Sequence, residues 1–332
     1  MKTTLTSSAI VAATTLTTPL NTTPKAKIIA SLTAKLAGVA LISLCTSTLA
    51  ISPVYADQAD SKTSTQQASK SAFQVNITGQ GKPMILIPGL ASSGAVWDDT
   101  VAHYSGQYRC IVLTLSGFAG APATDGPLIK QAEEQLANYI ITNKLQQPVI
   151  VGHSLGGFLA LKLASDYPAA VGKVVIVDSL PALGATQMPS ITTPQLEEMA
   201  SNMRNSMLHS DDASRATMRR QAAVSMVSKP ADVERVISWS EKSDQTAVAN
   251  AMYEMMSQDM RQDISKIKAP TLVLGTWIAY RDYAPRSAIE NTFKTQYAQL
   301  PQAKIELADN ARHFMMFDDP QWMFDRMDSF LK

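Results

Sequence analysis

Ser154 sits at the centre of Gly152-His153-Ser154-Leu155-Gly156, with the apolar run Val149-Ile150-Val151 before it and the amphipathic run from Phe158 to Tyr167 after it. A buried strand, a sharp turn and a helix are the setting of a nucleophile elbow. Such a turn strains the serine backbone, so the residues two before and two after must be small. Gly152 and Gly156, without a Cβ, meet that need. The serine hydroxyl then stands at the sheet edge beside a helix N-terminus, whose dipole and free N–H groups favour negative charge.

A serine hydroxyl is a poor nucleophile until a base takes its proton. The chain has four histidines, His103, His153, His209 and His313. His153 precedes the serine and leaves the turn on the other side. His313 follows the loop Ala308-Asp309-Asn310-Ala311-Arg312 after the last apolar run. The order serine, acid, histidine calls for the base there. Two carboxylates could orient it. One is Asp178, at the end of the strand after the elbow helix; the other is Asp282, in the loop Gly275-Thr276-Trp277-Ile278-Ala279-Tyr280-Arg281-Asp282. Ile278 occupies the place an acid usually takes in that loop, which favours Asp178 and keeps Asp282 as the alternative. An aspartate at a strand end can also simply cap the next turn.

A tetrahedral intermediate needs two preorganised donors for its oxyanion. The Leu155 N–H is one. The Leu90 N–H, in the loop Pro88-Gly89-Leu90-Ala91 after an apolar strand, is the expected second, with Ala91 next. The sequence has no metal-ligand cluster, phosphate loop or dinucleotide fingerprint. Gly79-Gln80-Gly81 precedes a strand rather than opening a helix. The expectation is therefore no metal and no cofactor.

The elements that must position these groups are legible as alternating patterns. Continuous apolar runs read as buried strands: Met84–Ile87, Cys110–Leu115, Val149–Val151, Lys173–Val177, Pro270–Leu274 and Lys304–Leu307. Helical patterns between and after them cover 97–107, 127–145, 283–297 and 319–331. Phe73, Val75 and Ile77 alternate with polar residues, as in a half-buried strand. The fold class expected is α/β, a mostly parallel sheet flanked by helices. One insertion, about 180–267, has helical stripes and no strand pattern, and reads as a helical cap. Its methionines, Met199, Met203, Met207 and Met252, Met255, Met256, Met260, suit helix packing or an adaptable wall for an apolar substrate.

The 332 residues carry a formal charge of +1, with nothing to suggest nucleic-acid binding. Residues 1–56 hold four lysines and no acid, then an apolar run from Leu36 and the small-residue pattern Val54-Tyr55-Ala56. This predicts a signal peptide cleaved after Ala56 and a periplasmic or secreted protein, with no stable membrane insertion after cleavage; an uncleaved anchor is the runner-up. Residues 57–70 read as a disordered linker and 71–332 as the folded domain. Cleavage removes Cys45, leaving Cys110 alone in an apolar strand and no intramolecular disulfide.

The stretches Ile87-Pro88-Gly89-Leu90, Leu115-Ser116-Gly117-Phe118-Ala119-Gly120, Gly152–Gly157, Pro270–Gly275 and Ala311-Arg312-His313-Phe314 resemble the α/β-hydrolase superfamily over the whole of the expected domain. The resemblance implies the α/β-hydrolase fold with a cap after Asp178, and an esterase, lipase, amidase or perhydrolase activity. Haloalkane dehalogenases are similar in carrying an acid where Asp178 stands, but their nucleophile is aspartate, and here it is Ser154. The function expected is an exported serine hydrolase acting on an ester or amide of a small to medium apolar substrate. The alternative is a non-catalytic ligand-binding protein on the same fold.

Overall fold

The computed structural model describes residues 71–186 and 188–332. The leader (1–56) and linker (57–70) expected from the sequence lie outside the described residues. The remainder forms a seven-stranded sheet in the order β1-β3-β2-β4-β5-β6-β7. The strands are β1 Phe73–Thr78, β2 Lys82–Ile87, β3 Tyr108–Leu115, β4 Val149–His153, β5 Lys173–Val177, β6 Thr271–Thr276 and β7 Lys304–Ala308. Only β1 runs antiparallel, against β3; every other pair is parallel.

The helices bracketing the sheet are α1 Asp98–Tyr104, α2 Leu128–Thr142 and α3 Leu155–Asp166, then, after the insertion, α8 Arg286–Gln296, the single turn α9 Met315–Asp318 and α10 Pro320–Leu331. Period-two alternation sends neighbouring strand residues to opposite faces. Ile85, Ile87, Ile111, Leu113, Ile150 and Val174 join one core with Leu136 of α2 and Phe158 of α3. Met84, Leu86, Cys110, Val112, Val149 and Val175 join the other with Trp97, Phe324 and Met327. Burial on both faces is why these strands read as unbroken apolar runs. Each such side chain contributes about 1.5–3 kcal/mol on leaving water. Cys110 is a free, buried thiol within the second core.

One expectation fails locally. In β1 only Phe73 is buried, edge-on to Tyr139 of α2; Val75 and Ile77 remain 37% and 42% exposed. β1 is the edge strand of the sheet, and beyond Phe73 its apolar side is left without a packed layer over it, so Val75 and Ile77 stay in contact with solvent.

Between β5 and β6 the chain leaves the sheet and makes four helices: α4 Thr193–His209, α5 Asp212–Met226, α6 Pro230–Glu241 and α7 Gln245–Met256. These helices dock on loops at the carboxyl ends of the strands. The Asp244 N–H donates to Gly117 O at 2.7 Å, and the Ser243 hydroxyl accepts the Ala119 N–H at 2.8 Å, both just beyond β3. The Phe314 N–H donates to Met226 O at 3.1 Å, just beyond β7. Glu254 of α7 accepts the Ile129 N–H at 3.1 Å. Pro127, the residue before α2, has no side chain able to cap that helix, so a carboxylate from the insertion supplies the cap. α4 packs against α7, with Met199, Met203 and Met207 half-buried and Met255 and Met260 buried.

Candidate active site

The sheet order changes direction at β2: β3 lies on one side of it and β4 on the other. Crevices at the carboxyl edge of a doubly wound sheet form at such switch points. The loop after β2 and the turn after β4 therefore meet.

Ser154 occupies that turn with φ 54° and ψ −120°, an arrangement that side-chain-bearing residues rarely adopt. Its cost is of order 1–3 kcal/mol and persists only where the surroundings enforce it. The enforcement is visible on both sides. The Ser154 N–H donates to Val177 O at 3.0 Å, and Ser154 O accepts the Phe158 N–H at 3.0 Å. A Cβ on Gly152 would fall on the carbonyl of Gly156, and one on Gly156 would fall on the carbonyls of Ile87 and Pro88. Both elbow glycines are thus required by the close approach of β2, β4 and α3.

The Leu155 backbone opens α3, and its N–H has no intrahelical acceptor. Leu90 lies in the loop after β2, which bends back on itself through a Ser92 N–H to Gly89 O bond at 3.3 Å and a positive φ of 53° at Ala91. Among the described residues neither the Leu90 nor the Leu155 N–H donates to a protein acceptor. That loop lies against the elbow: a Cβ on Gly89 would stand 3.1 Å from Ser154 Cβ.

His313 follows β7 and makes a 2.6 Å bond from Nδ1 to Asp178 Oδ2. A carboxylate accepts, so Nδ1 carries the hydrogen and Nε2 keeps its lone pair. The other carboxylate oxygen of Asp178 accepts the Thr276 N–H at 2.9 Å. Asp178 itself sits at φ 47°, held by its N–H to Leu274 O at 2.7 Å. The aspartate is thus clamped by the end of β6 and aimed at the loop after β7. Asp282, the alternative acid, is elsewhere. Its carboxylate is 81% exposed and meets Arg281 at 3.7 Å. It faces an open cleft of about 700 Å³ with Arg220, Ile278 and Arg312, and neither Ser154 nor His313 lines that cleft. The β6–α8 loop turns through a short 3-10 segment, Ile278–Tyr280, which carries Asp282 outward.

Among the described residues no hydrogen bond joins the Ser154 hydroxyl to His313. Bonds of this kind are often long without substrate and tighten when it binds. The other histidines have different settings. His103 pairs with Asp328 at 3.2 Å and stacks on Phe324 at 4.3 Å. His209 ends α4 and bonds Asn205 O at 2.7 Å. His153 is fully buried, and its Nε2–H donates to the backbone carbonyl of His313 at 3.0 Å. The sequence sets His153 aside as a base because its side chain leaves the turn on the side away from Ser154, and nothing in a linear pattern shows that the loop after β7 returns to it. Among the described residues no group of acids, histidines and cysteines is arranged to hold a metal.

A carboxylate-oriented imidazole beside a serine elbow, at the switch point of a mostly parallel sheet, defines a hydrolase of the α/β class. The model of the alpha/beta hydrolase family matches residues 84–326, and the chain belongs to that family. A pimeloyl-[acyl-carrier protein] methyl ester esterase of Aeromonas hydrophila is 25% identical over 261 residues, covering 76% of this chain and 96% of that protein. The namesake enzyme of Vibrio atlanticus is 30% identical over 114 residues, which span 34% of this chain and 43% of that protein's length. Among solved structures, a hydrolase from Pseudomonas aeruginosa superposes with a TM-score of 0.64 at 17% identity, covering 81% of this chain and 99% of its own. An enol-lactonase from Burkholderia xenovorans gives a TM-score of 0.64 at 17% identity, covering 78% and 96%. These structural likenesses establish the fold.

Proposed function

We propose that this protein is an exported serine hydrolase that cleaves an ester of a small to medium apolar substrate through an acyl-enzyme. An amide remains within reach of the same chemistry. The single observation that carries the reading is the 2.6 Å bond from His313 to Asp178, at the same sheet edge as the strained Ser154. The esterase names of its relatives support the substrate class.

Ser154 Oγ attacks the carbonyl carbon while His313 Nε2 takes the hydroxyl proton. The negative charge moves to the carbonyl oxygen, where the Leu90 and Leu155 N–H groups stabilise it. Collapse of the intermediate breaks the bond to the leaving oxygen, which departs with the proton from His313. Water then attacks the acyl-enzyme with His313 as base, releasing the acid and restoring Ser154. Asp178 holds the imidazole tautomer and balances the imidazolium that forms in each half-reaction. The helices between β5 and β6 act as the cap over this crevice.

The test is labelling with a fluorophosphonate, alongside hydrolysis of p-nitrophenyl esters of increasing acyl length. A stoichiometric adduct on Ser154, lost in Ser154→Ala, is expected. Absence of both adduct and turnover in the wild type would leave a ligand-binding protein on this fold. The leader-like composition of residues 1–56 supports the export reading. N-terminal sequencing of the extracytoplasmic protein should begin at Asp57, and a retained Met1 would point to an anchor.

A further inference from the structure

His153 belongs to none of the roles above, yet it touches all three segments that carry them. It precedes Ser154 on the elbow. Its Nε2–H donates to the carbonyl of His313 at 3.0 Å, and its ring lies 4.5 Å from the ring of His313 and 4.7 Å from that of Phe314. Its Nδ1 is buried, without a hydrogen-bond partner, against the loop after β2: a Cβ on Gly89 would come within 3.0 Å of it. The ring is therefore wedged between the loop bearing Leu90 and the loop bearing His313.

We propose that His153 is a positioning residue, whose Nε2–H holds the backbone of His313 and whose ring spaces the base loop from the oxyanion loop around Ser154. The inference rests on the triad reading and deepens it. The carbonyl it holds belongs to the residue whose side chain takes the proton, so backbone drift at 313 moves Nε2 directly. Displacements near 1 Å at a reacting group cost about 100-fold in rate. Burial, then the neighbouring His313, keeps the His153 imidazole well below its usual range. His153 thus stays neutral while His313 becomes a cation, and adds no like charge beside it.

The donor role separates two amide substitutions. In His153→Gln the side-chain N–H lies near the place of Nε2 and can still reach the His313 carbonyl. In His153→Asn it lies near the place of Nδ1 and cannot. Both variants are compared with wild type for melting temperature, fluorophosphonate labelling rate, and kcat and KM on one p-nitrophenyl ester. The expected result is a fall of about 10- to 100-fold in kcat and labelling rate for His153→Asn, with KM changed less than about threefold, and recovery of most of that loss in His153→Gln. Equal rates for the two folded variants would overturn the inference, as would a wild-type kcat in His153→Asn. A loss confined to KM would also overturn it. Failure of the wild type to label at all would instead remove the triad reading, and with it this role.

Discussion

The carboxylate of Asp178 and the imidazole of His313 lie 2.6 Å apart although 135 positions separate them in the chain. Asp178 directly follows β5 and His313 follows β7, and β6 lies between the two strands. The pairing therefore spans one strand, and the Thr276 N–H of β6 tethers the aspartate on the way.

This geometry separates the two candidate acids. Asp178→Asn should lower kcat by about 10⁴, because an amide at that place favours the wrong imidazole tautomer. Asp282→Asn should stay near wild type, since that carboxylate is 81% exposed and paired only with its neighbour Arg281. Steady-state rates on an activated ester decide; a large loss in Asp282→Asn alone would reverse the assignment.

The elbow glycines answer to stability as well as rate. Gly156→Ala drives a methyl group into the carbonyls of Ile87 and Pro88, backbone that cannot swing aside. Overpacking of this kind typically costs about 1–3 kcal/mol. Chemical denaturation should show at least that loss, whereas Ser154→Ala, which keeps the Cβ and with it the same backbone conformation, should keep wild-type stability.

Glu254 makes a prediction far from the chemistry. It accepts the Ile129 N–H at 3.1 Å at the start of α2, and its buried carboxyl titrates above the usual range because burial disfavours the charge. Glu254→Ala leaves those helix N–H groups without their acceptor and should cost about 1–3 kcal/mol. Glu254→Gln retains an acceptor oxygen and should cost less. Denaturation midpoints of the two variants, measured side by side, check the order.

His153 also gives folding stability a pH dependence. Its folded-state pKa is depressed by burial, so the unfolded chain binds the proton more readily below about pH 6.5. The stability associated with the neutral ring is present above that pH and is lost as pH falls. His313 is the titratable group that faces it. The drop in melting temperature from pH 8 to pH 5 should be smaller in His153→Gln than in wild type. An identical drop would show that His153 titrates as freely in the folded protein as in the unfolded one.

Much of this protein is written locally. The run into Ser154 needs a strand, a glycine-flanked turn and a helix, and each is set by neighbours within a few positions. The buried strands are legible because both faces of a parallel sheet are covered, which leaves unbroken apolar runs. β1 misled for the converse reason: its alternation promised cover that Val75 and Ile77, at the edge of the sheet, do not receive from any packed layer. The sequence favoured Asp178 over Asp282 as the acid, because Ile278 stands where a carboxylate usually would. It had no means of bringing either to His313. Only tertiary structure did that, since strand order and the outward turn after β6 are decided by packing between residues far apart in the chain. The same holds for His153, whose bond to the His313 carbonyl exists only because β4 and the loop after β7 end at one sheet edge.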